Sequence, residues 1–275
     1  MGDLLRLVRA HNLIVAAAGV LAGGWIALGR LALPAPLVWA ALSGIGLGVA
    51  GNVWNDVWDE AGDRANRRTD RPLADGRLSR GTADLCVLWG ILVGVGCAAL
   101  VGGALTGLAL LSLALMAAYS PLLKRRGLVG NLTVALVAGF PIAYGAIALG
   151  RGAAGFVPWI LAAWLHLARE IVKDLLDVPG DRALGRRTLP IERGEGAARG
   201  AARGTLWTFL PAALALPALA HFGLWYFVVA LVALGLVGGA LRGLAVSDYS
   251  RAARLLKYAM PVGVAALVLG RIAGP

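Results

Sequence analysis

The sequence predicts an all-α membrane protein, a polytopic bundle of nine transmembrane helices in a single domain spanning residues 1–275. Three observations point there. Hydrophobic residues make up 59% of 275, more than a soluble domain carries. They gather in runs suited to spanning helices, which need about 20 residues each. Strand-like alternation is absent, which argues against an outer-membrane barrel.

Nine apolar runs lie at roughly 12–30, 35–54, 84–104, 106–120, 129–149, 155–172, 206–222, 224–242 and 255–273. The fourth is short, so a tight turn to a neighbour is expected. Arg6 and Arg9 precede the first run and imitate a signal peptide. No convincing cleavage site follows, so a retained first helix is expected. Cys86 and Cys97 share one run and read as small packing residues.

Basic residues fix the orientation. With the runs alternating in direction, 23 of the 26 Lys and Arg fall on one side, and Arg30, Arg151 and Arg271 on the other. The positive-inside rule then places the chain in the cell membrane as a multi-pass protein, N-terminus cytoplasmic and C-terminus outside. The net charge of +11 is explained by cytoplasmic loops meeting anionic lipid, and no nucleic-acid partner is expected.

Two of these runs end in aspartates with one spacing. Asp56, Asp59 and Asp63 recur as Asp174, Asp177 and Asp181, each 118 residues further on. The match extends to Arg64/Arg182, Arg68/Arg186 and Pro72/Pro190. Four spans separate the copies, so both enter their loops in one direction. The repeat is parallel, with halves at about 12–125 and 129–245 and an extra helix at about 255–273. Both triplets fall on the cytoplasmic side, where the active site is expected to face.

Spacings of three and four put side chains on one helix face. Asn52, Asp56, Asp59 and Asp63 can share a stripe, as can Glu170, Asp174, Asp177 and Asp181. Such crowded carboxylates repel unless a cation intervenes. Their hard oxygens suit Mg²⁺, which keeps waters and bridges to phosphate, and no His or Cys cluster competes for a softer metal. The residues therefore point to Mg²⁺-mediated capture of a phosphate or diphosphate. One triplet alone reads equally well as a solvated helix end; the duplication argues against that. A transporter is the rival of another class, although its site would sit nearer the bilayer midplane. Asn55 falls opposite Lys173, so one half favours metal ligation and the other contributes a cation.

The motif Asn55-Asp56-Val57-Trp58-Asp59-Glu60-Ala61-Gly62-Asp63 resembles the N-D-x-x-D-x-x-x-D pattern of the UbiA superfamily of intramembrane prenyltransferases. The segment Asn66–Leu73, followed by Gly76-Arg77-Leu78-Ser79, is similar to that family's N-R-P-x-R-P stretch. It is one residue longer and carries Arg68 at the first proline. Tyr119-Ser120-Pro121-Leu122-Leu123-Lys124 resembles the family's tyrosine–lysine segment. The second motif, Arg169 to Asp181 continuing to Pro190, is similar to the archaeal-type lipid branch, the digeranylgeranylglyceryl phosphate synthases.

This resemblance implies transfer of a prenyl group from an allylic prenyl diphosphate to a membrane-associated acceptor, with pyrophosphate released. The branch implies geranylgeranyl transfer to geranylgeranylglyceryl phosphate in ether-lipid synthesis. An aromatic acceptor, 4-hydroxybenzoate or another quinone precursor, is the alternative. The implied metal ligands for Mg²⁺ are Asn55, Asp56, Asp59, Asp63, Asp174, Asp177 and Asp181. Asp59, Asp63, Asp177, Asp181 and Lys124 are the implied catalytic residues. Asn66, Arg71, Tyr119, Lys124 and Lys173 are implied at the diphosphate. Glu170 or an unligated Asp could act as base. His166 reads as a packing histidine, and Trp54 and Trp58 as cavity walls.

Overall fold

The computed structural model describes residues 2–65, 68–123, 127–183 and 185–273. Its elements are α1 (Gly2–Leu7), α2 (Ala10–Leu28), α3 (Ala35–Ala65), α4 (Arg80–Val101), α5 (Gly103–Ala118), a π-helical turn (Tyr119–Leu123), α6 (Leu128–Ala148), α7 (Gly152–Ala183), α8 (Leu189–Arg193), α9 (Glu195–Leu219), α10 (Leu224–Ala245) and α11 (Tyr249–Ile272). The chain is all-helical among the described residues. Seven helices, α2, α3, α4, α6, α7, α10 and α11, are long and apolar enough to cross a membrane. α5 is apolar but has 16 residues, and α9 opens on charged turns.

The apolar runs and the helices differ at informative places. α3 and α7 continue past their apolar stretches to 31 and 32 residues. At about 1.5 Å per residue each reaches roughly 46–48 Å, beyond the ~30 Å of hydrocarbon. The aspartates therefore lie within the helices rather than in the following loops. α9 begins well before its apolar run because Ala198 and Ala202 form a buried stripe while Arg203 stays exposed. The tight turn after α4 is the single residue Gly102, whose φ of 148° disfavours any side chain.

α2 is central, packing on α3, α6 and α11, while α7 packs on α6, α9 and α11. At the α2–α6 crossing the backbones touch: a Cβ on Gly23 would collide with the Ile142 carbonyl, and one on Gly145 with that of Val20. Gly46 on α3 meets Gly90 and Gly94 on α4 in the same way. Without a hydrophobic force between helices in lipid, such close packing is a main source of association. Ser43 joins three helices, donating to the Gly94 carbonyl (2.5 Å) and sharing a hydrogen bond with Tyr144 (2.6 Å).

Prolines inside the bundle strip carbonyls of their helical partner, and aromatic donors replace it. Pro121 cannot donate to Ala117, and Trp54 Nε1 donates there instead at 3.4 Å. Pro217 cannot donate to Ala213, whose carbonyl accepts from Tyr226 Oη at 2.5 Å. Each replacement satisfies a backbone group that lipid could not.

Candidate active site

Both aspartate motifs occupy the last turns of their helices, and both helices end alike. The Arg68 N–H closes on the Asp63 carbonyl (3.0 Å) and the Arg186 N–H on the Asp181 carbonyl (2.9 Å). These bonds are themselves 118 residues apart. Tyr119, on the π-helical turn, lies within electrostatic reach of Asp59 from one motif and of Glu170, Asp174 and Arg186 from the other. The two helix ends and this turn therefore share one end of the bundle.

In the first half, Asp56 is buried, and its Oδ1 accepts from Arg9 (2.5 Å) and Arg71 (2.8 Å). Arg9 can reach it because its left-handed backbone, φ 53°, folds α1 back beside α3, where Asn52 donates to the Val8 carbonyl (3.0 Å). Arg71 also stands 3.8 Å from Asp63, and its buried Nε has no hydrogen-bond partner among the described residues. The loop after α3 is knitted by arginine forks. Arg68 binds Asp70 through two 2.8 Å hydrogen bonds, which hold that carboxyl down at about 2. Arg77 binds Asp75, Asp3 and the Thr69 carbonyl. Pro72, Leu73 and Ala74 are buried beneath it.

In the second half, Asp174 Oδ2 accepts from Asn131 of α6 at 2.7 Å. Buried Asp181 accepts from Arg186 at 2.7 Å. Glu170 accepts from Arg169 (3.1 Å) and Lys173 (3.2 Å). Asp177 is exposed. Two buried polar atoms, Arg169 Nε and Thr188 Oγ1, lack hydrogen-bond partners among the described residues.

Among the described residues no three His, Cys, Asp or Glu side chains converge tightly enough to hold an ion by themselves. What the helix ends offer is oxygen donors on two helices together with buried guanidinium nitrogens, Arg71 Nε and Arg169 Nε, that have no hydrogen-bond partner among the described residues. That set fits a hard cation whose remaining ligands come from an anion.

A family model for the UbiA prenyltransferase family matches residues 16–261. The chain belongs to that family. It is thus a multi-pass membrane prenyltransferase, and the transporter reading falls. The digeranylgeranylglyceryl phosphate synthase of Methanopyrus kandleri is 37% identical over 275 residues, covering 98% of both chains. That of Halobacterium salinarum is 34% identical, covering 99% of this chain and 98% of its own. A solved structure of digeranylgeranylglyceryl phosphate synthase superposes with a TM-score of 0.84 at 22% identity, covering 99% of this chain and 98% of the other. A UbiA homologue from Archaeoglobus fulgidus bound to GPP and Mg²⁺ superposes with a TM-score of 0.70 at 17% identity, covering 95% and 99%.

Within this UbiA-family fold, Asp56, Asp59, Asp63, Asp174, Asp177, Asp181, Arg71, Lys173 and Tyr119 gather at one end of the bundle. Asn55 and Asp59 take part in its polar contacts. Asn66 and Lys124 lie outside the described residues. Lys173 faces Glu170, so both are engaged with each other. His166 Nδ1 lies 2.9 Å from the Ala162 carbonyl, a helix-internal contact. Trp54 and Trp58 meet edge to face at 6.2 Å. Sequence reasoning missed Arg9 and Asn131, the partners of Asp56 and Asp174. Each lies more than 40 residues from its carboxylate, and neither belongs to a motif.

Proposed function

We propose that this protein transfers a geranylgeranyl group from geranylgeranyl diphosphate to geranylgeranylglyceryl phosphate, with Mg²⁺, in ether-lipid synthesis. The observation that carries it is that Tyr119 lies within electrostatic reach of acidic residues from both motifs, in a chain that aligns end to end with relatives named for this reaction. The neighbour holding GPP and Mg²⁺ supports the donor class and the metal.

Asp59, Asp63, Asp177 and Asp181, with Asn55, are the side chains that would hold Mg²⁺. When bound, the metal neutralises the diphosphate and stabilises charge building on the leaving pyrophosphate. Asp56 and Asp174 serve one step further out: Asp56 orients Arg71 toward the diphosphate, and Asp174 is oriented by Asn131. Arg71, Tyr119 and Lys173, together with Asn66 and Lys124, bind the diphosphate oxygens. The C–O bond of the allylic diphosphate breaks and pyrophosphate leaves with the electron pair. The glyceryl hydroxyl oxygen then bonds to the prenyl carbon and passes its proton to a carboxylate base, Glu170 or an unligated Asp. Helix ends and the knitted 68–79 loop exclude the water that would quench the allylic cation.

The same reading makes α5 and α9 spans as well, for nine in all. It sets the N-terminus and the site on the cytoplasmic side, and pairs α2–α5 with α6–α10 as parallel halves. Purified protein offered geranylgeranyl diphosphate with either geranylgeranylglyceryl phosphate or 4-hydroxybenzoate should yield, by mass spectrometry, only the ether lipid. Prenylated 4-hydroxybenzoate as the main product would assign the aromatic branch instead.

A further inference from the structure

The end of the bundle opposite the aspartates carries a second feature, on the turn between α9 and α10. A cavity of about 600 Å³ opens there, lined by His221, Phe222, Phe227 and Arg271. The Arg271 guanidinium stacks on the Phe222 ring, 4.2 Å from its centroid. Its Nε is buried and has no hydrogen-bond partner among the described residues. The turn is fixed to α11 because the Gly223 N–H donates to the Gly270 carbonyl at 2.8 Å.

The charge at this end is one-sided. The Asp and Glu residues fall in the halves of helices and the turns toward the aspartate-bearing end, and among the described residues Arg271 has no carboxylate partner. Arg151, also at this end, is committed to the Ala27 carbonyl at 2.9 Å. The residues flanking the cavity lining in sequence are apolar and outward-facing: Leu219 is 76% exposed, Leu224 74% and Trp225 52%. A planar guanidinium with an open N–H is matched to phosphate oxygens. Apolar residues and a tryptophan beside it are suited to acyl chains at the interface.

We propose that this cavity binds the phosphate headgroup of an anionic membrane lipid in the leaflet opposite the aspartates, with Arg271 as its cation and the flanking Leu219, Leu224 and Trp225 against its acyl chains. Stacking on Phe222 holds the guanidinium plane in place, leaving its open edge to the headgroup. The site is separate from the prenyl-transfer site and does not depend on how that site is read.

Native mass spectrometry of the detergent-purified protein with added phosphatidylglycerol tests it. Wild type should retain a lipid adduct that Arg271→Gln loses by about fivefold or more, the scale of one charge-assisted contact. Millimolar inorganic phosphate should not displace that adduct. Prenyl transfer by the variant should stay within about twofold of wild type. Equal adducts in the two proteins would overturn the proposal. So would full displacement by inorganic phosphate, which would mark a free-anion site. If Arg271→Gln does not purify folded, Arg271→Lys keeps the charge and removes the planar fork. A drop in its adduct supports the proposal, and an undiminished adduct overturns it.

Discussion

The two halves hold equivalent aspartates by different means. Asp56 is buried between two guanidinium groups, Arg9 and Arg71. Its counterpart Asp174 receives one neutral amide, from Asn131. Each difference can be read by adding 118 to a residue number. Arg9 becomes Gly127 and Arg71 becomes Leu189, so both cations vanish; Asn131 stands where the first half has Leu13. The arginine after each helix diverges for a similar reason. Arg68 finds Asp70 two residues on and forks onto it, whereas Arg186 finds Thr188 and turns back to Asp181. At this one position, therefore, the first half supplies two cations of its own, and the second supplies a neutral donor. A duplicated framework has been specialised by substituting partners rather than the aspartates.

The sharpest blow to the clamp removes one aspartate from each half. Asp59→Ala combined with Asp177→Ala should lower prenyl transfer by about a thousandfold or more, since single electrostatic groups at such sites contribute 10²–10³. Pyrophosphate release from geranylgeranyl diphosphate is the readout. Full activity in that double variant would show that the helix ends do not form the site.

Next comes the contrast between the equivalent carboxylates. Asp56→Ala strands two arginines and should cost about 3–5 kcal/mol of stability, as for a broken buried ion pair. Asp174→Ala strands only an amide and should cost about 1–3 kcal/mol. Thermal unfolding in detergent measures both, and equal losses would erase the asymmetry.

The arginine switch can be transplanted. Thr188→Asp gives Arg186 the partner that Arg68 has, drawing it from Asp181. The KM for prenyl diphosphate should rise about tenfold, roughly 1.4 kcal/mol. An unchanged KM would mean that the Arg186–Asp181 pair does not order the site.

The smallest effect concerns Asp70, held at about 2 by Arg68 on an exposed loop. Its folded value lies below the ordinary 3.9, so its contribution is present above about pH 4 and is lost as pH falls through about 2. Exposure and screening keep that contribution below about 1 kcal/mol. Asp70→Asn should therefore shift the melting temperature slightly at pH 7 and not at all below pH 2.

Much of this was legible in the sequence, because lipid forces simple rules on it. Spans needed length and apolarity, and the aspartate register needed only counting. What was not legible depended on polar residues behaving as helix. Helices α3 and α7 run on through Asp, Glu and Arg, where apolar periodicity ends but backbone hydrogen bonding does not. The stripe of Ala198 and Ala202 is too small to register as an apolar run. Arg9 looked like a topogenic charge beside a span; only the left-handed link after α1 turns it onto Asp56. The Trp54–Ala117 and Tyr226–Ala213 bonds belong to the same class, since a proline announces the orphaned carbonyl but not the donor that adopts it.

The crossing of α2 and α6 brings backbone against backbone at Gly23 and Gly145. A pivot without side chains has nothing to repack, so the arms that leave it cannot slide. α3 packs on α2 and α7 packs on α6, so the separation of the two aspartate-bearing ends is carried by this crossing, as a gauge cut into the covalent chain. Selection by such a gauge is by length: a headgroup too short to touch both arms stays a visitor, and one that spans them is held before any part of the protein has to move.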